Sequence, residues 1–359
     1  MSDRIKHKQS GVALVSFTGC VDVCDAANPH TFTLQAGGSA VVEDVTISVD
    51  GRLKHHNLGA IVSRFLLSFV MVASTNAVIA QGKQLFPAEL VKFKTHRSNP
   101  IFEALGEGHW EVKIRERGWI LKDGDKYHMW YTGYDGTRAA TMKLGYATSD
   151  DGLLWERYPR NPIYDKHWVE DMMVIKRGDT FYMFAEGRND QAHLLTSNNG
   201  VQWKRQGRLD VRLKNGKPIE PGPYGTPAAW YEDETWYLFY ERRDLGIWLA
   251  TSKDMKVWTN IQDEPVLSPG PGSYDKDLVA FNQIVKYQGR YYAYYHGSKR
   301  GTKLWTSNVA TSTDLLHWTK YAGNPLFPVE ENKSSNILVH DGKQFRLYTM
   351  HNQVHLHTH

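Results

Sequence analysis

Cysteine is nearly missing from this chain. Only Cys20 and Cys24 occur among 359 residues, both near the start. A C-x-x-x-C pair with no companion cysteine or histidine ligands excludes a disulfide framework and gives no basis for a zinc or thiol redox site. Charge of one sign is also scarce. The formal balance is +4, with no run of lysine or arginine, which argues against a nucleic-acid partner. Long apolar runs are absent too. The stretch Phe65-Leu66-Leu67-Ser68-Phe69-Val70-Met71-Val72-Ala73 is too short to span a bilayer comfortably, so no membrane partner is expected of the mature chain. No phosphate-cradling glycine loop, nucleophile triad or metal-ligand cluster stands out, so no cofactor and no metal are expected. The ending His355-Leu356-His357-Thr358-His359 alternates like an edge strand, and no carboxylate or cysteine accompanies its histidines.

That short apolar run has a recognisable setting. Arg64 precedes it, and Val78-Ile79-Ala80 closes it before Gln81, which is a secretory signal pattern over 62–80. Residues 1–61 show neither strand alternation nor helical periodicity. They read as a leader that is non-structural or not translated, with 81–359 as the mature domain. The expectation is a secreted or periplasmic protein. An amino terminus near Gln81 in the native protein supports it, and an intact 1–60 segment contradicts it.

What is abundant is short aromatic and apolar strands punctuated by turns. Aromatics make up 12% of the chain, with 30 glycines and 14 prolines, a composition that suits an all-β fold. The segment from Glu170-Asp171 through Arg177-Gly178-Asp179 to Ala185-Glu186-Gly187 reads as a hairpin with acids at its open end. The same unit recurs from Glu116 to Thr132, Gly225 to Glu241, Ala280 to His296 and Ser334 to Met350, aligning without gaps.

A second phrase follows four of these hairpins. It runs from Ala147-Thr148-Ser149 to Trp155, Leu195-Thr196-Ser197 to Trp203, Ala250-Thr251-Ser252 to Trp258 and Ala310-Thr311-Ser312 to Trp318. The phrase often runs on into an Asn-Pro stop, as at Asn161-Pro162 and Asn324-Pro325. Four strands per repeat is the unit of a propeller blade, which must stack to bury its faces. The last hairpin lacks room for the Trp phrase. Leu90-Val91-Lys92-Phe93-Lys94-Thr95, running into Asn99-Pro100, is expected to supply the missing outer strand. The fold class is therefore all-β: a five-bladed β-propeller whose last blade is closed by an N-terminal strand.

Starts of the inner strands converge on one mouth of a propeller. The columns there contain Glu116, Arg117, Glu170, Asp171, Glu186, Glu241, Arg242, His296 and His351. Paired carboxylates at such a mouth are what glycosidic cleavage requires: one protonates the leaving oxygen and another activates water or attacks the sugar. Glu116, flanked by Arg115 and Arg117, suits a base. Trp110, Trp168 and Tyr224 precede inner strands and are candidate sugar platforms. Simpler readings stand beside these: Glu170 and Asp171 as an ion pair to Arg117 or Arg188, Glu241 with Arg242 and Arg243 as a solvated cluster, and His296 as a donor to a backbone carbonyl.

The strand-start acid, the aromatic second strand and the Ala-Thr-Ser-to-Trp phrase resemble the five-bladed propeller glycoside hydrolases, families 43, 32, 62, 68, 117 and 130. The resemblance spans about residues 84–359. It implies carboxylate catalysis on an oligo- or polysaccharide. Asp171 stands where family 43 carries its strand-start Asp-Pro, which implies an orienting or base carboxylate. The first blade departs, with Glu116-Arg117-Gly118, and Thr226 and Phe281 replace an acid on blades three and four. Family 117 uses a histidine acid, which makes His296 a reserve donor. The expected catalytic set is Glu116 as base, Asp171, Glu241 as acid, and His296. Trp110, Arg117, Glu170, Glu186, Tyr224, Arg242 and His351 are expected to bind sugar, with a slight lean to acidic glycans. Two rivals remain: a family 130 type phosphorylase, and a binding propeller without turnover.

Overall fold

The computed structural model describes residues 85–137 and 141–359. The expected leader and signal segment, 1–61 and 62–80, lie outside the described residues. Five sheets follow one another as blades, antiparallel except where Asp210–Arg212 runs parallel to Val257–Asn260 in blade three. The inner two strands of each are the hairpins read from sequence: Trp119–Asp123 with Lys126–Tyr134, Glu170–Arg177 with Thr180–Gly187, Gly225–Glu232 with Thr235–Glu241, Leu278–Tyr287 with Arg290–Ser298, and Asn336–His340 with Phe345–Met350. Each third strand follows in order, ending with Val354–Thr358 in blade five.

The repeated phrases have local causes. In each Ala-Thr-Ser phrase the serine hydroxyl accepts the backbone N–H three residues on: Gly152, Gly200, Met255 and Leu315 bond Ser149, Ser197, Ser252 and Ser312 at 2.8–3.0 Å. This is the side-chain turn that serine favours over continuing a ladder. The Asn-Pro asparagines act as clamps. Asn161 takes the N–H of Tyr146 and gives to its carbonyl, both at 2.9 Å. Asn324 does the same to Val309, at 3.0 Å in both directions.

Ring closure comes from the N-terminal side. Lys94 and Thr95 pair with Thr358 and His357, and Asn99 clamps Leu356 at 2.7 and 2.8 Å. A free sheet edge is thereby covered. Only part of the expected strand is extended, because Ala88–Val91 form one helical turn. Leu90 and Val91 are both buried against Tyr292 and Tyr294, which two neighbours on alternating strand faces cannot achieve. Tyr294 donates to the Leu90 carbonyl at 2.7 Å, so the turn is pinned to blade four.

Aromatics fill the gaps between blades. The Trp130 indole donates to Gly200 of blade two at 2.7 Å, and the Tyr348 hydroxyl donates to Gly152 of blade one at 3.0 Å. Two of the three histidines at the chain's end are packed into blade five. His357 is buried between Thr95 and Thr349 with its ring on Phe327, while His359 stacks on Phe93. Among the described residues no group of three or more His, Cys, Asp or Glu is placed to hold a metal ion.

Candidate active site at the propeller mouth

A backbone irregularity builds the mouth. Arg117, Asp171, Thr226 and Ser335 occupy one repeated position on blades one, two, three and five. All four are left-handed, with φ of 37°, 46°, 43° and 55°. Bulges accompany the turn on blades two and three, and a bulge without positive φ lies between Phe281 and Gln283 on blade four. A bulge breaks strand alternation and re-aims side chains, at a cost of order 1–3 kcal/mol per strained residue. Thr226, being β-branched, is the least comfortable there.

Arg117 uses this turn to enter the axis. It has no exposed surface. Its guanidinium donates to the Phe281 carbonyl at 2.7 Å, to Pro227 at 2.8 Å, and to the Asp171 carbonyl. Its own N–H donates to Met350 at 2.8 Å, and its carbonyl accepts from Met172 at 3.2 Å. One residue of blade one thus bonds all four other blades. Burial lowers its pKa to about 10, against the pull of Asp171 and Glu186, so it stays charged at neutral pH. The sugar-binding role expected for Arg117 is replaced by a structural one.

Above that hub lie carboxyl groups. Burial pushes Glu116 upward, but the hydrogen bond from His351 and the charges of His351, His296 and Arg115 outweigh it, leaving the group below its usual value. His351 Nδ1 lies 3.1 Å from Glu116 Oε2 and 3.1 Å from Ser334 Oγ. Of the two cations expected beside Glu116, Arg115 is among the groups that lower it and Arg117 is not. Burial drives Asp171 well above the ordinary aspartate range, with Glu170 and Glu116 adding to the push and Arg117 opposing it. This displaces Asp171 towards its protonated form, the opposite of what a base needs.

Several other expected residues are committed elsewhere. Glu170 is buried and takes the Arg115 Nε at 2.5 Å, so its partner is neither Arg117 nor Arg188. Glu186 is buried and accepts the Thr226 N–H at 2.8 Å. Glu241, expected as the acid, is 3% exposed. Its oxygens accept the N–H of Gly225 at 2.9 Å and that of Asp244. A Cβ on Gly225 would collide with Glu186 and sit 2.8 Å from Glu241, so these two carboxyls meet over one glycine. His296 is buried beside the Asn282 amide at 2.9 Å, and burial lowers its pKa to about 4, making it a neutral ring and a poor acid. Arg242 donates to the carbonyls of Pro223 and Glu220 at 3.2 and 2.7 Å. Trp110 packs on Gly133 and Tyr131. The Tyr224 hydroxyl donates to Leu209 at 3.0 Å. Trp168 lies under the Arg188 guanidinium, 5.3 Å from its ring centre. With Arg117 and Arg242 so engaged, the lean towards an acidic glycan loses the two arginines it stood on.

The structure adds Asp244, which sequence reasoning passed over. It lies three residues past Glu241 in a left-handed turn, φ 57°, with its carbonyl taken by Val279 N–H at 2.8 Å. Burial raises its pKa to about 8, helped by Glu241, Glu116 and Asp190 and opposed by Arg300. Those neighbours come from blades one, two, three and four, which places Asp244 over the common mouth. The available signal was one more acid after the Glu241-Arg242-Arg243 run. A carboxylate held ionised and another held protonated now share the site.

No protein-family model matches the chain. A 1,2-β-oligomannan phosphorylase of Thermoanaerobacter sp. (strain X514) is 25% identical over 227 residues, spanning 58% of this chain and 73% of that protein. A glycosyl hydrolase from Bacteroides ovatus superposes with a TM-score of 0.61 at 17% identity, over 74% of this chain and 92% of the other. The β-1,2-mannobiose phosphorylase of Listeria innocua, solved with β-1,2-mannobiose, gives 0.59 at 14% identity, over 74% and 96%. The chain shares its fold with the five-bladed propeller glycoside hydrolases and mannoside phosphorylases.

Proposed function

We propose that the protein hydrolyses glycosidic bonds of an oligosaccharide, with β-1,2-linked manno-oligosaccharides as the first substrates to try. One observation carries this reading: Glu116 is held ionised while Asp244, coupled to it across the mouth, is held protonated. Two carboxyls with their pKa values pushed apart are an acid and a base. Asp244 gives its proton to the leaving glycosidic oxygen as that bond breaks. Glu116 takes a proton from the attacking water, or attacks the anomeric carbon itself. Asp171, displaced by burial towards its protonated form beside the hub, can donate a hydrogen bond to a sugar hydroxyl. Seven acidic side chains are coupled around the mouth: Glu116, Glu170, Asp171, Glu186, Asp190, Glu241 and Asp244. That surplus favours water over a phosphate dianion as the attacking group.

Phosphorolysis is the second reading, favoured by the name of the Thermoanaerobacter relative. Product analysis with and without phosphate separates the two. Hydrolysis yields the free sugar at a rate independent of phosphate, and phosphorolysis yields a sugar 1-phosphate only when phosphate is present. On the hydrolytic reading, Glu116→Gln and Asp244→Asn each lose about a hundredfold or more in turnover. Wild-type activity retained by both variants places the chemistry elsewhere. Sugar binding without turnover by the wild type identifies an idle binding propeller.

A further inference from the structure

The bulge on blade four's inner strand carries Asn282, which stands unpaired between the pairs Phe281–Tyr295 and Gln283–Tyr294. Asn282 has no exposed surface, and its side-chain oxygen has no hydrogen-bond partner among the described residues. The Asn161 and Asn324 amides, by contrast, spend both ends on backbone groups. The Asn282 amide nitrogen lies 2.9 Å from His296 Nδ1. An amide nitrogen only donates, so Nδ1 accepts, and a ring that accepts at Nδ1 is neutral with its proton on Nε2. A proton on Nδ1 would set two donors against each other. Trp305 holds the same ring from a second direction, edge-on at 5.0 Å and 86° between planes. Its own backbone N–H is tied to Asn332 Oδ1 at 2.7 Å. With Nδ1 taken, Nε2 is the ring nitrogen left for a ligand, and no group among the described residues bonds it. The ring stands at the mouth, where burial, Arg117 and His351 favour its neutral form and Glu116 opposes them.

We propose that Asn282 is a positioning residue that fixes His296 as the neutral Nε2–H tautomer, a standing hydrogen-bond donor to a glycan oxygen at the mouth. The contact with a glycan rests on the glycosidic reading above, whereas the tautomer does not. A buried amide that leaves its oxygen unpartnered and serves one ring nitrogen is otherwise a cost without a return. The fixed ring neither gives nor takes a proton during turnover, which leaves acid and base chemistry to the carboxyl groups.

Long-range proton–nitrogen NMR correlation on the intact protein reads the tautomer without any substrate. The His296 signals are identified by their loss in His296→Gln. Wild type should show a protonated Nε2 and a bare Nδ1, unchanged between about pH 5.5 and 8, where an ordinary histidine titrates. Asn282→Asp places an acceptor at Nδ1, so the ring should carry Nδ1–H and gain its second proton near neutral pH. Asn282→Leu bonds neither form and should leave a mixture of tautomers, with melting curves showing that each variant is folded. A wild-type ring protonated at Nδ1 or charged at neutral pH overturns the proposal, as does an unchanged tautomer in folded Asn282→Leu. On a glycoside that wild type turns over, His296→Ala should raise KM about tenfold, and His296→Gln, which keeps an N–H donor, should restore most of it. An unchanged KM in His296→Ala overturns the contact with the glycan. Absence of turnover by wild type counts against the glycosidic reading alone, because the tautomer is read without it.

Discussion

Asp244 shows how one residue exchanges stability for chemistry. Its folded pKa of about 8 lies far above that of an unfolded aspartate, so raising the pH past the unfolded value costs folding free energy, increasingly up to about 8. Asp244→Asn removes that cost while keeping the shape. The variant should melt higher than wild type at pH 8, with the gain shrinking as pH falls and vanishing below about 4, where both states of wild type hold the proton. An equal or lower melting temperature at pH 8 contradicts the raised pKa. Sequence gave little access to this level. Glu116, Glu170 and Asp171 were recognisable as mouth acids because they stand at strand starts. Their protonation states were not, since those follow from burial and from partners on other blades, such as His351 for Glu116. Arg117 is the sharper case. Strand alternation cannot reveal that a left-handed turn sends its side chain into the axis and takes it away from substrate.

Among the elements, the hairpins were legible because each is local: an apolar strand, a turn and a second strand returning in register. The Asn-Pro stops were visible as punctuation, and the structure supplies their cause as a clamp on the neighbouring strand. Asn99 matters most, because it joins the N-terminal segment to the last strand at Leu356. Asn99→Ala leaves a backbone N–H and carbonyl without these partners. It should cost about 1–3 kcal/mol, read as a lower denaturant midpoint at unchanged slope. A midpoint equal to wild type would mean that closure does not depend on the clamp. The helical turn at Ala88–Val91 was missed because its packing partners, Tyr292 and Tyr294, lie some 200 residues away, beyond any local pattern.

The whole molecule is a ring whose centre is tied by Arg117 and whose mouth gathers acids from different blades. Closure keeps the ring in register, the hub ties the inner strands together, and the left-handed column breaks strand alternation at Asp171. Distant positions in the chain are thereby coupled electrostatically: Glu116 senses His351, and Asp244 senses both Glu116 and Asp190. On the proposed mechanism, Glu116 and Asp244 act as an ionised base and a protonated acid in one site. The pH dependence of kcat/KM for wild type and Asp244→Asn tests it most directly. Wild type should hold its activity down through the usual carboxylate range, where Glu116 remains ionised, and lose it as pH rises through about 8, where Asp244 gives up its proton. In Asp244→Asn the residual activity should be low and should lack that alkaline limb. The same limb persisting in the variant would assign the proton to another group and contradict the account.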